Sequence, residues 1–428
     1  MTAAAGRGDT SPVENDPIPA GERFPPKTLH DLGWPRLLDH LARRCSSELA
    51  GERARALDFP EPEAAIERLR RVDELLTCFA DDDAPPRLPA EPVDEWLARV
   101  RGDAAVPPEG LLHIAANLKR MGALARFLDN RRDTCPRNAR AVLEPAGAPP
   151  VSAVGLARLA AEIESAFEPD GTLADGASAE LGRLRRRAVS LRQTLLDRLD
   201  AIAEDEGDLL QDRTITLRND RFVLPVRTDA HRRLPGIVHG SSGTGATVFV
   251  EPEAAVALGN DLMLAREAVA REEQRILAEL RGAVRDQLDE VEYACRAVVE
   301  TEVLIAAARL SRDLEAAPPR SAEPGVVALV RARHPLMALE GVDVVPTHLE
   351  LDGGRCLLIS GPNAGGKTAA LKTTGLLALM LAAGLPIPAA PESRLGVARR
   401  VLTDIGDDQS LERSLSTFSA HMSNIAQI

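Results

Sequence analysis

The segment GPNAGGKT, residues 361–368, constrains the fold of this chain more than any other part of the sequence. It follows the apolar run RCLLIS (355–360) and precedes AALKTTGLLALMLAAG (369–384), whose residues favour a helix. A strand, a glycine-rich loop ending in Gly-Lys-Thr, and a helix form the context in which the pattern G-x-x-x-x-G-K-[ST] binds phosphates. The chain is therefore predicted to contain an α/β domain with a nucleotide-binding loop.

Each residue type in this loop has a predicted task. The glycines let the backbone bend around phosphates with its N–H groups pointing inward. Lys367 is predicted to neutralise charge on the β- and γ-phosphates, and Thr368 to offer its hydroxyl to Mg²⁺. ATP and Mg²⁺ are thus the expected cofactors, and the predicted binding residues are Gly361, Pro362, Asn363, Ala364, Gly365, Gly366, Lys367 and Thr368.

Hydrolysis at such a loop also needs a carboxylate at the end of a second strand. The candidate by pattern is RRVLTDIGDDQS, in which residues 401–403 are predicted as a short strand ending at Asp404. Only 20 residues follow Asp408. Because a doubly wound nucleotide domain contains more strand–helix units than this space holds, the domain is expected to be incomplete.

Upstream of the loop, the sequence predicts mainly helices. Residues 1–27 lack the apolar stretch of a signal peptide and are predicted to be a disordered tail. Residues 28–210 repeat amphipathic segments, and 253–322 carry apolar residues at spacings near seven and four, typical of a coiled-coil-like arm. The predicted fold class is mixed α and α/β: long helical arms with a small β element at 211–252, followed by an incomplete nucleotide domain at 323–428.

The predicted β element is locally basic. Residues 211–241 contain six arginines and three aspartates, a charge of +3 within a chain of net charge −13. Local positive charge of this kind is expected where a nucleic-acid backbone is bound, and the candidate contacts are Arg213, Arg218, Arg221 and Arg227. The alternative is a hairpin with ordinary exposed arginines.

A helix predicted from about residue 177 to 203 carries a second set of six arginines, Arg183, Arg185, Arg186, Arg187, Arg192 and Arg198. These side chains could contact phosphates. They could equally form a solvated face paired with the acidic run at 204–206. The sequence leaves both interpretations open.

Composition and hydropathy exclude several classes of protein. The acidic balance excludes a strongly basic nucleic-acid coat protein. With 3% aromatic residues, base stacking on aromatic platforms is not expected. The apolar stretch at 376–390 is short for a bilayer span and contains Pro386. No membrane partner is therefore predicted. The five cysteines show no C-x-x-C pair, so buried thiols in a reducing cytoplasm are predicted.

GPNAGGKT and, about 40 residues later, DIGDDQSLERSLSTFSAHMSNI resemble the corresponding segments of the MutS family of ATPases. LRNDRFVLPV, GIVHGSSGTGATVFVEP and ARHPLM are similar, in order and spacing, to the second bacterial branch, here called MutS-two. The resemblance covers roughly residues 28–428. It implies helical lever arms, a β clamp and an ABC-like ATPase domain through which two subunits form a homodimer.

In such dimers each nucleotide lies between the phosphate loop of one subunit and the signature segment of the other. By resemblance, the signature segment of this chain is Ser416-Thr417-Phe418, and Ser416 would act on the γ-phosphate bound by the partner subunit. Asp404 would then precede the signature rather than hold Mg²⁺. The Asp-Glu strand and the small nuclease domain of the family are expected beyond residue 428. The chain is therefore expected to be an N-terminal fragment of an ATPase and endonuclease, inactive alone.

The resemblance implies a DNA-binding ATPase of the mismatch-repair family that acts on branched recombination DNA and suppresses homologous recombination. The alternative within the same branch is an rRNA-binding ATPase that splits stalled or collided ribosomes. A third reading is a truncated, non-catalytic product that only dimerises. The sequence does not choose between these functions.

Two smaller features remain. Mismatch-binding members of the family insert a Phe-x-Glu motif into DNA as a wedge, and Phe59-Pro60-Glu61 matches this motif. Its flanking prolines and its position between two predicted helices predict a loop instead, because a wedge needs rigid support. His334, before Pro335, either lies near the adenine or forms a structural turn.

Overall fold

The computed structural model describes residues 23–80, 84–146, 151–360, 362 and 366–405. Its helices are α1 Pro26–Asp31, α2 Trp34–Ala42, α3 Glu48–Arg55, α4 Pro62–Ala80, α5 Asp94–Arg101, α6 Pro108–Asp129, α7 Pro136–Leu143, α8 Ala153–Ser165, α9 Ala179–Asp205, α10 Glu253–Arg285, α11 Leu288–Asp313, α12 Pro335–Leu339 and α13 Lys367–Ala382. Its strands are β1 Thr216–Arg218, β2 Arg221–Arg227, β3 Gly236–Ser241, β4 Thr247–Pro252, β5 Arg320–Ser321, β6 Val327–Ala332, β7 Thr347–Leu351 and β8 Arg394–Leu395. The mixed helical and sheet composition agrees with the predicted fold class. Within the described ranges, no helix combines the length and the apolar character needed to cross a bilayer.

The chain divides into two units. Unit 1 comprises residues 1–91, 120–153 and 294–428, and unit 2 comprises 92–119 and 154–293. Unit 1 has a helical core in which Leu37 and Leu41, one turn apart on α2, are fully buried. Its sheet has the order β5–β8–β6–β7, with β5 parallel to β8 and β6 antiparallel to both β7 and β8.

Unit 2 contains the long helices α9 and α10 and a second sheet. The hydroxyl of Ser178 caps α9 by accepting the backbone N–H of Leu181 at 2.9 Å, an interaction that typically contributes about 1 kcal/mol. One face of α9 is apolar and faces the core: Leu184, Leu195 and Leu199 are buried. Apolar residues three to four positions apart share one helix face.

The sheet of unit 2 is antiparallel with strand order β1–β2–β4–β3. Buried side chains of β2 and β4 join a core with those of α9 and α10, namely Leu224, Val226, Val248, Val250, Leu195, Leu199, Ala255 and Leu262. Asn219 and Asp220 both adopt left-handed conformations, with φ of 50° and 60°. This is the conformation that a two-residue hairpin turn requires. The β element expected at 211–252 is present.

The helical arm predicted at 253–322 is divided between two helices. α10 ends at Arg285 and α11 begins at Leu288. At the break, the backbone N–H of Gln287 donates to the carbonyl of Val284 at 3.2 Å, a three-residue spacing that tightens the last turn. Neither proline nor glycine occupies residues 285–288, so the sequence contains no conventional signal for this break.

Gly259 of α10 packs against the paired side chains of Glu251 and Arg221. A Cβ atom at this position would lie 2.7 Å from Oε1 of Glu251 and 2.9 Å from Nη1 of Arg221. We expect Gly259→Ala to lower the free energy of unfolding by about 1–3 kcal/mol, because the added methyl overpacks a buried site. Denaturant unfolding of the whole chain measures this change.

Gly282 provides the matched control on the same helix. A Cβ there meets no atom within 4 Å, so Gly282→Ala is expected to stabilise the protein by about 0.5–1 kcal/mol through helix propensity. A stabilising effect of both substitutions would contradict the close approach at Gly259.

The pKa of the Glu272 carboxyl on α10 is strongly lowered. Hydrogen bonds from Arg275 and from the Ser178 hydroxyl hold the pKa of its carboxyl at about 2, below the ordinary 4.5. Because the folded pKa is depressed, its contribution to stability is present above pH 4.5 and is lost as the pH falls toward 2. We expect Glu272→Gln to flatten the pH dependence of the free energy of unfolding over this window, which denaturant unfolding at a series of pH values measures.

Candidate functional site

The N-terminus of α13 brings together the described residues of the predicted phosphate loop. Gly366 has a left-handed backbone, with φ of 78°, and Lys367 and Thr368 are the first two residues of the helix. A left-handed backbone conformation costs glycine little free energy, so the chain can enter the helix abruptly here. Gly361, Asn363, Ala364 and Gly365 lie outside the described residues.

Lys367 extends back along the loop. Its Nζ donates a hydrogen bond of 2.6 Å to the carbonyl oxygen of Pro362. The ammonium group is thus close to the helix N-terminus, where the first backbone N–H groups have no acceptor within the helix and the helix dipole favours an anion. The arrangement supplies several donors and positive charge to one small region.

The hydroxyl of Thr368 is exposed and makes no hydrogen bond within the described part of the chain. Two other threonines of α13 behave differently: Thr373 donates to the carbonyl of Ala369 at 2.7 Å, and Thr374 to that of Ala370 at 2.9 Å. The Thr368 oxygen therefore keeps its capacity to coordinate a hard cation such as Mg²⁺, which prefers oxygen ligands.

Packing within unit 1 fixes the position of α13. Leu376, Leu377 and Leu379 are fully buried. Gly375 packs so closely on Leu32 that a Cβ there would lie 2.7 Å from its Cδ2 atom. Because the helix is held along this face, its N-terminus and Lys367 are presented from a rigid support.

The strand expected immediately before the loop is not formed. Residues 355–360 have no strand assignment, and Leu357 and Leu358 are 47% and 91% exposed. An apolar strand is stable only when neighbouring strands satisfy its backbone groups. Among the described residues, none pairs with this segment. The prediction of a strand at RCLLIS was wrong for this structure, although the helix after the loop is present.

The segment around Asp404 also differs from its prediction. Residues 401–405 have no strand assignment. The segment instead packs on the N-terminal part of unit 1: the Thr403 hydroxyl donates to Oδ2 of Asp31 at 3.0 Å. Lys27 lies 3.7 Å from Oδ1 of Asp404. Asp404 is therefore held in an ion pair with Lys27. Asp408 and Ser416 lie outside the described residues.

The candidate nucleic-acid contacts of unit 2 fall into two groups. Arg221 is largely buried, and its Nη1 lies 3.2 Å from Oε1 of Glu251, while Nη2 donates to Asn260 at 2.8 Å. Arg227 is exposed but forms an ion pair of 2.7 Å with Asp229. These two guanidinium groups already have carboxylate partners.

Arg213 and Arg218 are the more available members of the set. Both are exposed, and neither has a carboxylate within ion-pair distance in the described part of the chain. The guanidinium carbon of Arg218 lies 4.6 Å from the centre of the Phe249 ring. This contact orients the side chain while leaving its charge unneutralised.

Sequence reasoning missed a buried polar network between the sheet and α10. Glu251, whose side chain is 3% exposed, accepts from Arg221 and contacts Nε2 of His239 at 2.8 Å. Glu251 is a single acid in an apolar strand, and Gly259 stands within a helix. Either of these sequence features could have indicated a paired carboxylate at a place where the helix backbone packs closely on the sheet.

The two smaller candidates have defined surroundings. The ring of Phe59 lies 4.3 Å from Phe24 and 5.1 Å from Trp34, centre to centre, in a segment without helix or strand. The predicted loop is thus present, and the ring is engaged within unit 1. His334 precedes α12 and is buried; burial, followed by the charges of Lys372 and Arg36, lowers its pKa.

Comparison of the sequence with known proteins identifies a family and several relatives. Residues 357–428 match the model of MutS domain V. The chain is 38% identical over 417 residues to a protein named Endonuclease MutS2 from Anaeromyxobacter sp. (strain Fw109-5), covering 94% of this chain and 51% of that protein. Proteins of the same name from Pelotomaculum thermopropionicum and Synechocystis sp. are 37% and 36% identical, with 50% and 49% of their lengths covered.

The match over residues 357–428 thus defines a protein that contains a MutS-type domain V. The chain belongs to the MutS family and, within it, to the MutS2 branch. It spans about half the length of the curated relatives it matches.

Proposed function

We propose that this chain is the nucleotide-binding and nucleic-acid-binding part of a MutS-type ATPase. The observation that carries the proposal is the position of Lys367, which starts a rigidly packed helix directly after the left-handed Gly366 and reaches back to Pro362. A lysine that begins a helix after a glycine-rich sequence, with its ammonium near the helix N-terminus, suits the phosphates of ATP.

The proposed cofactors are ATP and Mg²⁺. Lys367 and the N-terminal backbone groups of α13 would bind the phosphates, and the hydroxyl of Thr368, which has no partner in the described ranges, would coordinate the metal. When bound, Mg²⁺ would neutralise phosphate charge during transfer. The remainder of the loop, the trans role of Ser416 and the homodimer stay part of the proposal on the strength of the family membership alone.

The proposed partner of unit 2 is branched or recombination DNA, with suppression of homologous recombination as the cellular role. Support comes from the exposed arginines Arg213 and Arg218 on the sheet element, which have no carboxylate partners in the described ranges. Phosphate contacts by such side chains make affinity strongly dependent on salt. The relatives' printed name, Endonuclease MutS2, is consistent with DNA as a substrate.

Fluorescence anisotropy with a labelled four-way junction and a linear duplex of equal length tests this proposal. We expect the 428-residue chain with a non-hydrolysable ATP analogue to bind the junction more tightly. The double substitution Arg213→Glu and Arg218→Glu should reduce the slope of log K against log salt by about 0.9 for each phosphate that the protein no longer neutralises. Arg221 is unsuitable for this test because its replacement would disturb the sheet.

Equal binding of junction and linear duplex would contradict recognition of branched DNA. Absence of DNA binding, together with co-sedimentation with ribosomes, would favour the alternative of a ribosome-associated ATPase. Either result would leave the nucleotide site to be judged separately, through ATP-analogue binding.

A further inference from the structure

A groove of about 590 Å³ lies between α9 and α10 in unit 2. Its volume falls in the range of sites that bind small organic groups, about 300–1,000 Å³. Arg185 and Arg186 of α9 and Arg266 of α10 lie at its margin, and Ala188, Val189 and Val269 form its apolar surface. The groove is separate from the hairpin arginines to which the sequence pointed.

Two guanidinium groups in this groove are available to a ligand. Arg186 and Arg266 are exposed and have no carboxylate partner within the described part of the chain. Asp175 also lines the groove, but it pairs with Arg185 at 2.7 Å, and Arg185 pairs with Glu273 at 2.8 Å. Glu267, next to Arg266, lies 3.6 Å from Arg271. The groove therefore retains an excess of positive charge.

The apolar surface between these arginines is accessible as well. Val189 is 68% exposed on α9, although the neighbouring turns of the same helix bury Leu184 and Leu195 in the core. An exposed valine beside these arginines provides a surface for a planar apolar group next to a site for an anion. A nucleotide combines these two properties, because its base has an apolar face and its phosphate is charged.

We propose that this groove binds a nucleotide unit of a nucleic-acid strand, with the phosphate between Arg186 and Arg266 and the base against Val189. The inference rests on the proposed nucleic-acid function and deepens it by assigning a contact surface on the helices. It bears on the arginine-rich helix as a whole: of its arginines, those paired with acids are Arg183 and Arg185, and their partners are Glu180, Asp175 and Glu273. None of the described α9 arginines pairs with the acidic run at 204–206.

The test measures binding of a labelled single-stranded oligonucleotide of about 20 nucleotides to the whole chain over a range of salt concentrations. The double substitution Arg186→Glu and Arg266→Glu should weaken binding by about tenfold or more and should reduce the salt slope by about 0.7, since the one phosphate between these arginines is no longer neutralised and single strands contribute about 0.7 per phosphate. Val189→Asp should weaken binding without removing an arginine. Circular dichroism confirms that each variant is folded.

Arg187→Glu is the matched control. Arg187 is adjacent in sequence, is exposed on the same helix and has no carboxylate partner in the described ranges, but it does not line the groove. It should change affinity by less than about twofold, a general effect of net charge. Oligo-dT and oligo-U used in parallel identify whether a DNA or an RNA strand is the better ligand.

Several outcomes overturn the assignment. If the oligonucleotide binds and the Arg187 variant is weakened as much as the double variant, the groove is not the contact surface, while the proposed function stands. The groove is likewise excluded as the contact surface if polyglutamate, a competing polyanion, occupies it while the oligonucleotide remains bound. If neither the junction nor the single strands bind, the proposed nucleic-acid function itself fails.

Discussion

Replacing Lys367 by alanine is expected to remove most of the affinity of this chain for a fluorescent ATP analogue. The substitution deletes the ammonium that donates to the carbonyl oxygen of Pro362 at 2.6 Å. Hydrogen bonds from charged groups contribute about 1.5–3 kcal/mol each, which corresponds to an increase in Kd of about 10- to 150-fold. A fluorescence titration in the presence of Mg²⁺ measures the change.

Lys372→Ala is the control for removal of a positive charge from the same helix. Lys372 follows Lys367 by five residues, which places it about 140° around the helix axis and about 7.5 Å further along. This variant should bind the analogue nearly as well as the unmodified chain. Unchanged binding by the Lys367 variant would refute the assignment of this helix N-terminus as the nucleotide site.

Arg221→Ala is expected to have the largest effect on stability in unit 2. Its partner Glu251 has a side chain that is 3% exposed, and that of Arg221 is 17% exposed. Removing one member of a buried ion pair leaves the other charge without compensation and costs about 3–5 kcal/mol. Denaturant unfolding should therefore show a large decrease in the free energy of unfolding.

Arg227→Ala is the control on the same strand. The Arg227–Asp229 pair has side chains that are 48% and 68% exposed, and exposed pairs contribute about 0–1 kcal/mol. A double variant, Arg221→Met with Glu251→Leu, should recover part of the stability, since apolar replacement of both partners removes the uncompensated charge. Similar decreases for Arg221→Ala and Arg227→Ala would contradict the distinction between buried and exposed pairs.

Local chemistry made the helices and turns predictable. Leu195 and Leu199, four residues apart, share the buried face of α9, and Asn219-Asp220 forms a hairpin turn. The Gly-Lys-Thr sequence identified the start of α13. In each case the structure depends on residues that are close in sequence, so the pattern can be read from one short segment.

Partners that are distant in sequence were not predictable in the same way. Residues 355–360 have the composition of a buried strand, but a strand also depends on the neighbours it pairs with. Arg221 has the same chemistry as Arg213; what separates their roles is Glu251, thirty positions away from Arg221, which holds one guanidinium in a buried pair while the other is exposed. Sequence alone therefore found the basic element but not which arginines were available.

β4 ends at Pro252 and α10 begins at Glu253, with no intervening loop. The 33 residues of α10 extend for about 50 Å at 1.5 Å per residue. A reorientation of this strand by about 5° would thus displace the distant end of the helix by about 4 Å, if the helix moves as a rigid rod. Nucleic acid that tilts the small sheet would in this way produce a displacement several nanometres from where it binds, and spectroscopic labels near Arg285 could record it.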